Sequence, residues 1–145
     1  MSQSWLGVVS RAHVQRGVAG GFAQVCHGKA QPLRRMKSGD IFFYYSPAVE
    51  MHGAPLKAFT AMGVVEDEEV FPFDMGGGFV PFRRRVKYLE VKETPLEALR
   101  SELDLCAAPS WGMVLRRGLI PLTDKDSSTI ANAMGVDLAT QRMYR

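Results

Sequence analysis

The chain has 145 residues, of which 46% are hydrophobic and 23% are charged. This length and balance predict one folded domain with its own core and exclude a wholly disordered chain. The 18 basic and 15 acidic residues give a net charge of +3, which permits an anionic partner without requiring one. Apolar runs such as Ile41–Tyr45 are too short to span a bilayer, and no basic segment followed by an apolar core opens the chain. We therefore expect a cytoplasmic protein with no membrane partner, in which Cys26 and Cys106 are reduced thiols.

The first third of the chain predicts two strands separated by a short helix. Trp5–Ser10 is a β-prone apolar run. Valines four residues apart predict a helix over His13–Ala19, which the following glycine pair ends. Ile41–Ser46 is aromatic and apolar on both faces, which indicates a central strand covered on both sides. Pro47 is expected to end this strand, because proline cannot donate a hydrogen bond to a neighbouring strand.

Two further strands are predicted in the middle of the chain. Leu56–Val65 is an apolar strand, and Phe82–Val91 alternates so that one face is basic. Between them lie an acidic run, Glu66–Glu69, and a loop over Phe71–Gly78 that contains three successive glycines.

The last third predicts two helices around one more strand. The sequence T-P-L-E from Thr94 has the pattern of a helix start with a capping box, and Thr123 begins the final helix in the same way. Trp111–Leu122 is expected to form a strand, and residues 136–145 a C-terminal tail. Because the strands do not alternate regularly with helices, the fold class is α+β, a small curved sheet or barrel with short helices packed at its ends.

Motifs for common catalytic and cofactor sites are absent from the sequence. It contains no phosphate-binding loop, no dinucleotide-binding glycine motif, no H-E-x-x-H and no paired C-x-x-C. We therefore predict no catalytic residue, no metal site and no cofactor.

Basic residues interleaved with aromatic residues are the main functional signal. Arg83, Arg84 and Arg85 are consecutive on a predicted strand, and further basic pairs lie near aromatic residues in the sequence. Guanidinium groups bind phosphates and aromatic rings stack on bases, so this combination is what a nucleotide site needs. The alternative is a solvated basic strand balanced by the acidic run Glu66–Glu69.

Seven sequence blocks, in order along the chain up to Met134, resemble the EVE domain family. They are W-L-G-V-V-S-R-A-H-V (Trp5–Val14), G-F-A-Q-V-C-H-G-K (Gly21–Lys29), M-K-S-G-D (Met36–Asp40), Y-Y-S-P (Tyr44–Pro47), F-T-A-M-G (Phe59–Gly63), P-F-R-R-R-V (Pro81–Val86) and W-G-M-V-L-R-R-G (Trp111–Gly118). The resemblance implies one domain over residues 1–145. Its fold would be PUA-like, a small bent β-barrel of about five to six strands with short α-helices at its rim.

EVE domains are similar to the YTH readers of methyladenosine and are implicated in recognising modified bases in DNA, notably methylated or hydroxymethylated cytosine. The resemblance therefore implies a nucleic acid as partner, either modified DNA or modified RNA. It leaves open whether a protein partner exists.

The resemblance also implies a base pocket beside the end of the first strand. Ser10 matches a serine that contacts the base edge, Phe22 matches an aromatic wall, and Arg116 matches an arginine that contacts phosphate. The other candidates for base or ligand binding are His13, Gln24, Tyr45, Ser46, Phe82 and Trp111. The other candidates for phosphate binding are Arg83 and Lys29. Trp5 and Trp111 are expected near this pocket.

Two alternatives are also compatible with the sequence. Some ASCH relatives are small amidohydrolases that use a lysine, a threonine and a glutamate; Lys29 and Thr60 are available here, but no glutamate lies in a matching block. The other alternative is a small-ligand or protein-interaction module.

Overall fold

The computed structural model describes residues 3–138, which form a mixed sheet with short helices on both faces. The strands are β1 (Ser4–Val8), β2 (Phe22–Ala23), β3 (Ile41–Ala48), β4 (Pro55–Pro72), β5 (Phe82–Tyr88), β6 (Thr94–Pro95) and β7 (Leu119–Leu122). The helices are α1 (Arg11–Gly20), α2 (Ala30–Arg34), α3 (Trp111–Val114) and α4 (Asp124–Ala133). Single 3-10 turns lie at Cys26–Gly28, Leu96–Ala98, Asp104–Cys106 and Leu115–Arg117. The predicted α+β class is confirmed.

The sheet has an open strand order, β2-β5-β4-β3-β1-β7, and β6 pairs separately with β4. Strands β1 and β3 are parallel, and the other described pairs are antiparallel. The seven described strands exceed the five to six expected, and two of them, β2 and β6, have only two residues each.

Strand β3 lies in the middle of the sheet and is covered on both faces, as the sequence predicts. Ile41, Phe43 and Tyr45 belong to one hydrophobic cluster, whereas Phe42 and Tyr44 belong to the other. The first cluster packs against α4, and the second packs against α1 and α2. Burial of two aromatic faces on one strand makes β3 the centre of the hydrophobic core.

Two strands extend beyond their predicted ends, whereas β1 and β5 end earlier than predicted, at Val8 and Tyr88. Strand β3 continues through Pro47 to Ala48, and a register shift between Ser46 and Ala48 accommodates the proline. Strand β4 continues past Val65 through the acidic run, where a second register shift separates the pairings of Val65 and Val70 with β5.

The helix predicted from Thr94 is absent. Thr94 and Pro95 pair with β4, and the Thr94 hydroxyl donates to the carbonyls of Lys92 and Ala133 instead of capping a helix. Only one 3-10 turn follows, at Leu96–Ala98. Leu96, Leu99 and Leu103, which follow Thr94 at helical spacing, are nevertheless buried in the first cluster from an irregular segment.

The strand predicted over Trp111–Leu122 is correct only in its last four residues, because α3 and a 3-10 turn precede β7. The final helix begins at its Thr123 cap, whose hydroxyl accepts from the Asp126 amide. Within the predicted tail, Val136 and Leu138 are buried in the first cluster, and residues 139–145 lie outside the described part of the chain. No helix of the described part is long and apolar enough to cross a membrane.

Candidate functional site

A cleft of about 730 Å³ opens where the end of β1, the start of α1 and the turn after β2 meet the segment before β7. Seven of the side chains predicted for ligand binding line this cleft. They are Ser10, His13, Phe22, Gln24, Lys29, Arg83 and Arg116. The structure therefore brings together residues that are more than 100 positions apart in the sequence.

Local backbone requirements hold the walls of the cleft in place. Ser10 has extended backbone angles after β1, and its hydroxyl accepts from the His13 amide, so it caps α1 at the cleft wall. Cys26 and His27 adopt positive φ angles of 51° and 59°, which are uncommon for residues other than glycine. Gly118 has φ +81° and lies so close to this turn that a Cβ would stand 2.6 Å from Cys26 Sγ.

Arg83 forms a buried part of the wall. It is 8% exposed, and its Nε donates to Gln24 Oε1 at 3.0 Å. Its Cζ lies 3.7 Å from the centroid of the Phe22 ring and 4.0 Å from that of Phe73. Desolvation lowers the pKa of Arg83 below its usual value, but the group stays a cation. No carboxylate in the described residues forms an ion pair with it, in contrast to Arg85, which pairs with Asp67 and Glu69.

Gln24 is held by both its side chain and its backbone. The Tyr44 hydroxyl accepts from the Gln24 amide at 3.0 Å and donates to the Gln24 carbonyl at 3.2 Å. Burial raises the pKa of Tyr44 to about 12, so this phenol keeps its proton. Because arginine only donates, the Gln24 side-chain oxygen faces Arg83, and its NH₂ group remains available to the cleft.

His13 carries a buried nitrogen without a partner. Its Nε2 has no hydrogen bond to any of the residues 3–138. Burial of the ring, together with the charges of Arg16 and Arg83, lowers the pKa of His13 below 6.5, although an interaction with the Gln24 backbone opposes the shift. The imidazole is therefore neutral at pH 7 and presents an unsatisfied polar atom at the cleft.

The cleft is strongly biased towards positive charge. Its lining includes five arginine or lysine side chains, of which Arg16, Lys29, Arg116 and Arg117 are exposed, and one carboxylate, that of Glu50. Such an imbalance attracts an anionic ligand.

Four residues predicted for base contact do not line this cleft. Tyr45 is buried in the first cluster, and Trp111 packs against that cluster beneath the Arg100 guanidinium. Ser46 is fully buried and shares a 2.8 Å hydrogen bond with Thr60. Phe82 packs against the second cluster. Trp5 is also absent from the lining, since it is buried with its indole nitrogen donating to Asp40 at 2.9 Å.

Apolar side chains at the rim are a feature that the sequence analysis missed. Met75 and Phe79 are each 47% exposed, line the cleft and come from the loop between β4 and β5. Met51, 73% exposed, lies on the rim as well. The available signal was the presence of large apolar residues on both sides of three glycines, which a purely polar loop tip does not explain.

The amidohydrolase set is not assembled at the cleft. Lys29 lines it, but Thr60 is 8% exposed, bonds Ser46 and is not part of the lining. No group of three or more His, Cys, Asp or Glu side chains in the described chain could hold a metal ion.

Comparisons with known proteins agree on one family. A UPF0310 protein of Mycolicibacterium gilvum is 46% identical over 137 residues, covering 93% of this chain and 97% of the relative. A UPF0310 protein of Mesorhizobium japonicum is 49% identical over 141 residues, covering 93% of each. The crystal structure of protein Atu2648 from Agrobacterium tumefaciens has a TM-score of 0.61 at 16% identity and covers 93% of this chain and 94% of its own, which shows a shared fold. The EVE domain model matches residues 3–133, and this chain belongs to the EVE domain family.

Proposed function

We propose that this chain binds nucleic acid by taking one modified base into the cleft. The observation that carries the proposal is that polar groups without protein partners converge there. They are His13 Nε2, the NH₂ group of Gln24 and the terminal nitrogens of Arg83. A buried polar atom left unpaired costs about 1–3 kcal/mol, and His13 Nε2 is such an atom. With the free donors of Gln24 and Arg83 beside it, the cleft is suited to a polar ligand.

The apolar rim suits the flat part of such a ligand. Extruding a base costs a few kcal/mol, and stacking it again on a ring contributes about 1–3 kcal/mol. The Arg83 guanidinium already covers one face of the Phe22 ring. Phe22 therefore supports the wall, and the half-exposed Phe79 is the ring best placed to contact a base.

The exposed cations suit the backbone on either side of that base. Arg116 and Lys29 project at the rim, so they can contact phosphates without entering the cleft. Phosphate contacts position the strand and carry no information about the base. Discrimination between bases must then come from the inner groups, which are Ser10, His13, Gln24 and Arg83.

A binding panel tests the proposal. We would measure fluorescence anisotropy of labelled 12-residue single-stranded and duplex oligonucleotides of DNA and RNA. Each would carry one central cytosine, 5-methylcytosine, 5-hydroxymethylcytosine, adenine or N6-methyladenine. We expect one modified base to bind more tightly than its plain counterpart. An extrinsic label is needed because neither Trp5 nor Trp111 lines the cleft.

Matched variants separate base recognition from backbone attraction. Phe22→Ala should abolish discrimination between modified and plain bases, because it removes the ring that holds Arg83 and, through Arg83, Gln24. Arg116→Ala should weaken every oligonucleotide to a similar degree. Arg100→Ala is the control, since Arg100 is exposed and lies outside the cleft lining. Equal, salt-insensitive binding to every oligonucleotide, or no binding, would contradict the proposal.

A further inference from the structure

The cations of the cleft fall into two groups. Arg16, Lys29, Arg116 and Arg117 are exposed and face solvent, as expected for contacts with a mobile phosphate backbone. Arg83 is 8% exposed and has no ion-pair partner in the described chain. A buried cation without a carboxylate partner is costly, and its position in a cleft indicates that an electron-rich ligand completes its contacts.

The Arg83 side chain is also immobilised before any ligand arrives. Gln24 holds its Nε, and the rings of Phe22 and Phe73 lie against its guanidinium at 3.7 and 4.0 Å. Gln24 is itself fixed through two hydrogen bonds with the Tyr44 hydroxyl. Only the two terminal nitrogens are left to bind a ligand, and they form a planar pair of donors with fixed spacing.

We propose that Arg83 reads the edge of the bound base, so that the cleft accepts bases with two adjacent acceptors on one edge. This inference rests on the proposed function and departs from the expectation that Arg83 contacts phosphate. Cytosine offers N3 and O2, and guanine offers N7 and O6. Adenine places an amino donor beside N1 and N7, and thymine and uracil place the N3–H donor between their two oxygens, so neither presents such a pair.

The division of the cations favours a base edge over a phosphate for Arg83. The rim already supplies four exposed cations for phosphates, whereas a buried planar donor pair matches the flat, desolvated edge of a base. A substituent at C5 of cytosine leaves N3 and O2 free. Arg83 would therefore select the base, and other groups in the cleft would recognise the modification.

The test uses five single-stranded oligonucleotides that differ only in the central base: the best modified base from the panel, or cytosine, guanine, adenine or thymine. Wild-type protein should prefer cytosine and guanine over adenine and thymine by roughly 5- to 150-fold. Arg83→Lys keeps the charge but loses the planar pair, so this preference should fall to less than about 3-fold. Arg83→Gln removes the charge and should leave the salt dependence of binding unchanged, because no phosphate contact is lost.

Controls guard against unfolding and against nonspecific charge effects. Arg85→Lys changes an exposed arginine on the same strand and should keep the preference. Phe73→Ala removes one of the two rings at a side chain that is 47% exposed, so the protein should fold and lose part of the preference. All variants are compared by thermal unfolding first.

The outcomes separate the two proposals. Equal affinity for all four plain bases would overturn this inference. A slope of log K against log salt that is about 0.7 shallower for Arg83→Gln than for wild type would also overturn it. Such a change corresponds to the loss of one phosphate contact on a single strand. In both cases binding of the modified base could persist, and the proposed function would stand. If no oligonucleotide bound, both proposals would fail.

Discussion

Three consecutive arginines on β5 have three different environments. The strand's alternation separates Arg84 from the other two, and packing against Phe22 and Phe73 separates Arg83 from Arg85. Arg83 is buried at the cleft, and Arg85 is exposed and paired with Asp67 and Glu69. Arg84 is 1% exposed, and its guanidinium donates to the carbonyls of Leu33, Met36 and Asp67. Arg84 therefore joins the end of α2 to the irregular part of β4. The alternative of a solvated basic strand balanced by acidic residues describes Arg85. It does not describe Arg83 or Arg84.

Arg84→Ala should lower the free energy of unfolding by about 2–5 kcal/mol, because it removes the side-chain hydrogen bonds to the carbonyls of Leu33, Met36 and Asp67 and creates a cavity. Arg85→Ala is the matched control and should cost less than about 1 kcal/mol, since its ion pairs are exposed. Urea unfolding measures the free energy of unfolding of both variants. Similar losses for the two variants would contradict the structural role of Arg84.

His13 gives the stability a predictable pH dependence. Burial, Arg16 and Arg83 lower the pKa of the folded ring below 6.5. As the pH falls through 6.5, the unfolded chain takes up a proton and the folded chain does not, so the free energy of unfolding decreases. In His13→Gln, the free energy of unfolding should fall less steeply as the pH decreases, because the titrating ring is absent. Urea unfolding at several pH values between 7.5 and 5 would show a slope difference between the two proteins, and parallel slopes would count against a buried neutral His13.

At the scale of elements, α1 couples stability to the cleft. The helix begins at a serine that both caps it and lines the cleft, and it ends where Gly21 adopts φ +70°. A mutation of Ser10 therefore changes two properties at once. The two effects need variants that separate them.

Ser10→Ala should destabilise the protein by about 0.5–1 kcal/mol, whereas Ser10→Gly should cost only a few tenths, because glycine is a tolerated N-cap. Both variants remove the hydroxyl from the cleft. If Ser10 contacts the base, both should reduce discrimination between modified and plain bases to the same extent. Loss of discrimination in Ser10→Ala alone would mean that the serine acts only through the helix.

The sequence predicts elements well where local signals and packing agree. The alternating aromatic faces of β3, the glycine stop of α1 and the Thr123 cap of α4 are local patterns that the core reinforces. The capping pattern at Thr94 fails because pairing with β4 competes for the same residues. Tertiary contacts of this kind are invisible in a local window.

The lining of the cleft was predictable where its residues belong to contiguous blocks of the family pattern. Blocks around Ser10, Phe22 and Arg116 all contribute to the cleft. The burial of Arg83 could not be predicted, because it depends on Phe73 reaching back from the loop beyond β4. The place of Met75 and Phe79 at the rim could not be predicted either, because it depends on how the same loop folds over the cleft.

For the whole molecule, the net charge of +3 understates how basic the cleft is. Asp67 and Glu69 are engaged by Arg85, and Glu50 is the one carboxylate among the lining residues. Positive charge is thus concentrated at the site, although the molecule as a whole is only mildly basic. This distribution suits a short contact with a few phosphates.

Salt dependence tests that distribution. Four exposed cations can neutralise at most about four phosphates, so the slope of log K against log salt on a single strand should be no steeper than about −3. Arg116→Ala should reduce the slope by about 0.7. Anisotropy titrations between 50 and 300 mM salt, roughly the range in which such slopes are read, provide the measurement. A slope near −7 would indicate an extended backbone interface instead.

The central claim is that a base enters the cleft, and ¹H–¹⁵N NMR of the labelled protein tests it most directly. We predict that the tightest oligonucleotide of the panel shifts the side-chain signals of Gln24, Arg83 Nε and the His13 ring. The same oligonucleotide with an abasic site in place of the target base should shift only rim signals such as those of Arg116. If the abasic strand moved the inner signals equally, or if neither strand moved them, the cleft would not be a base-binding site.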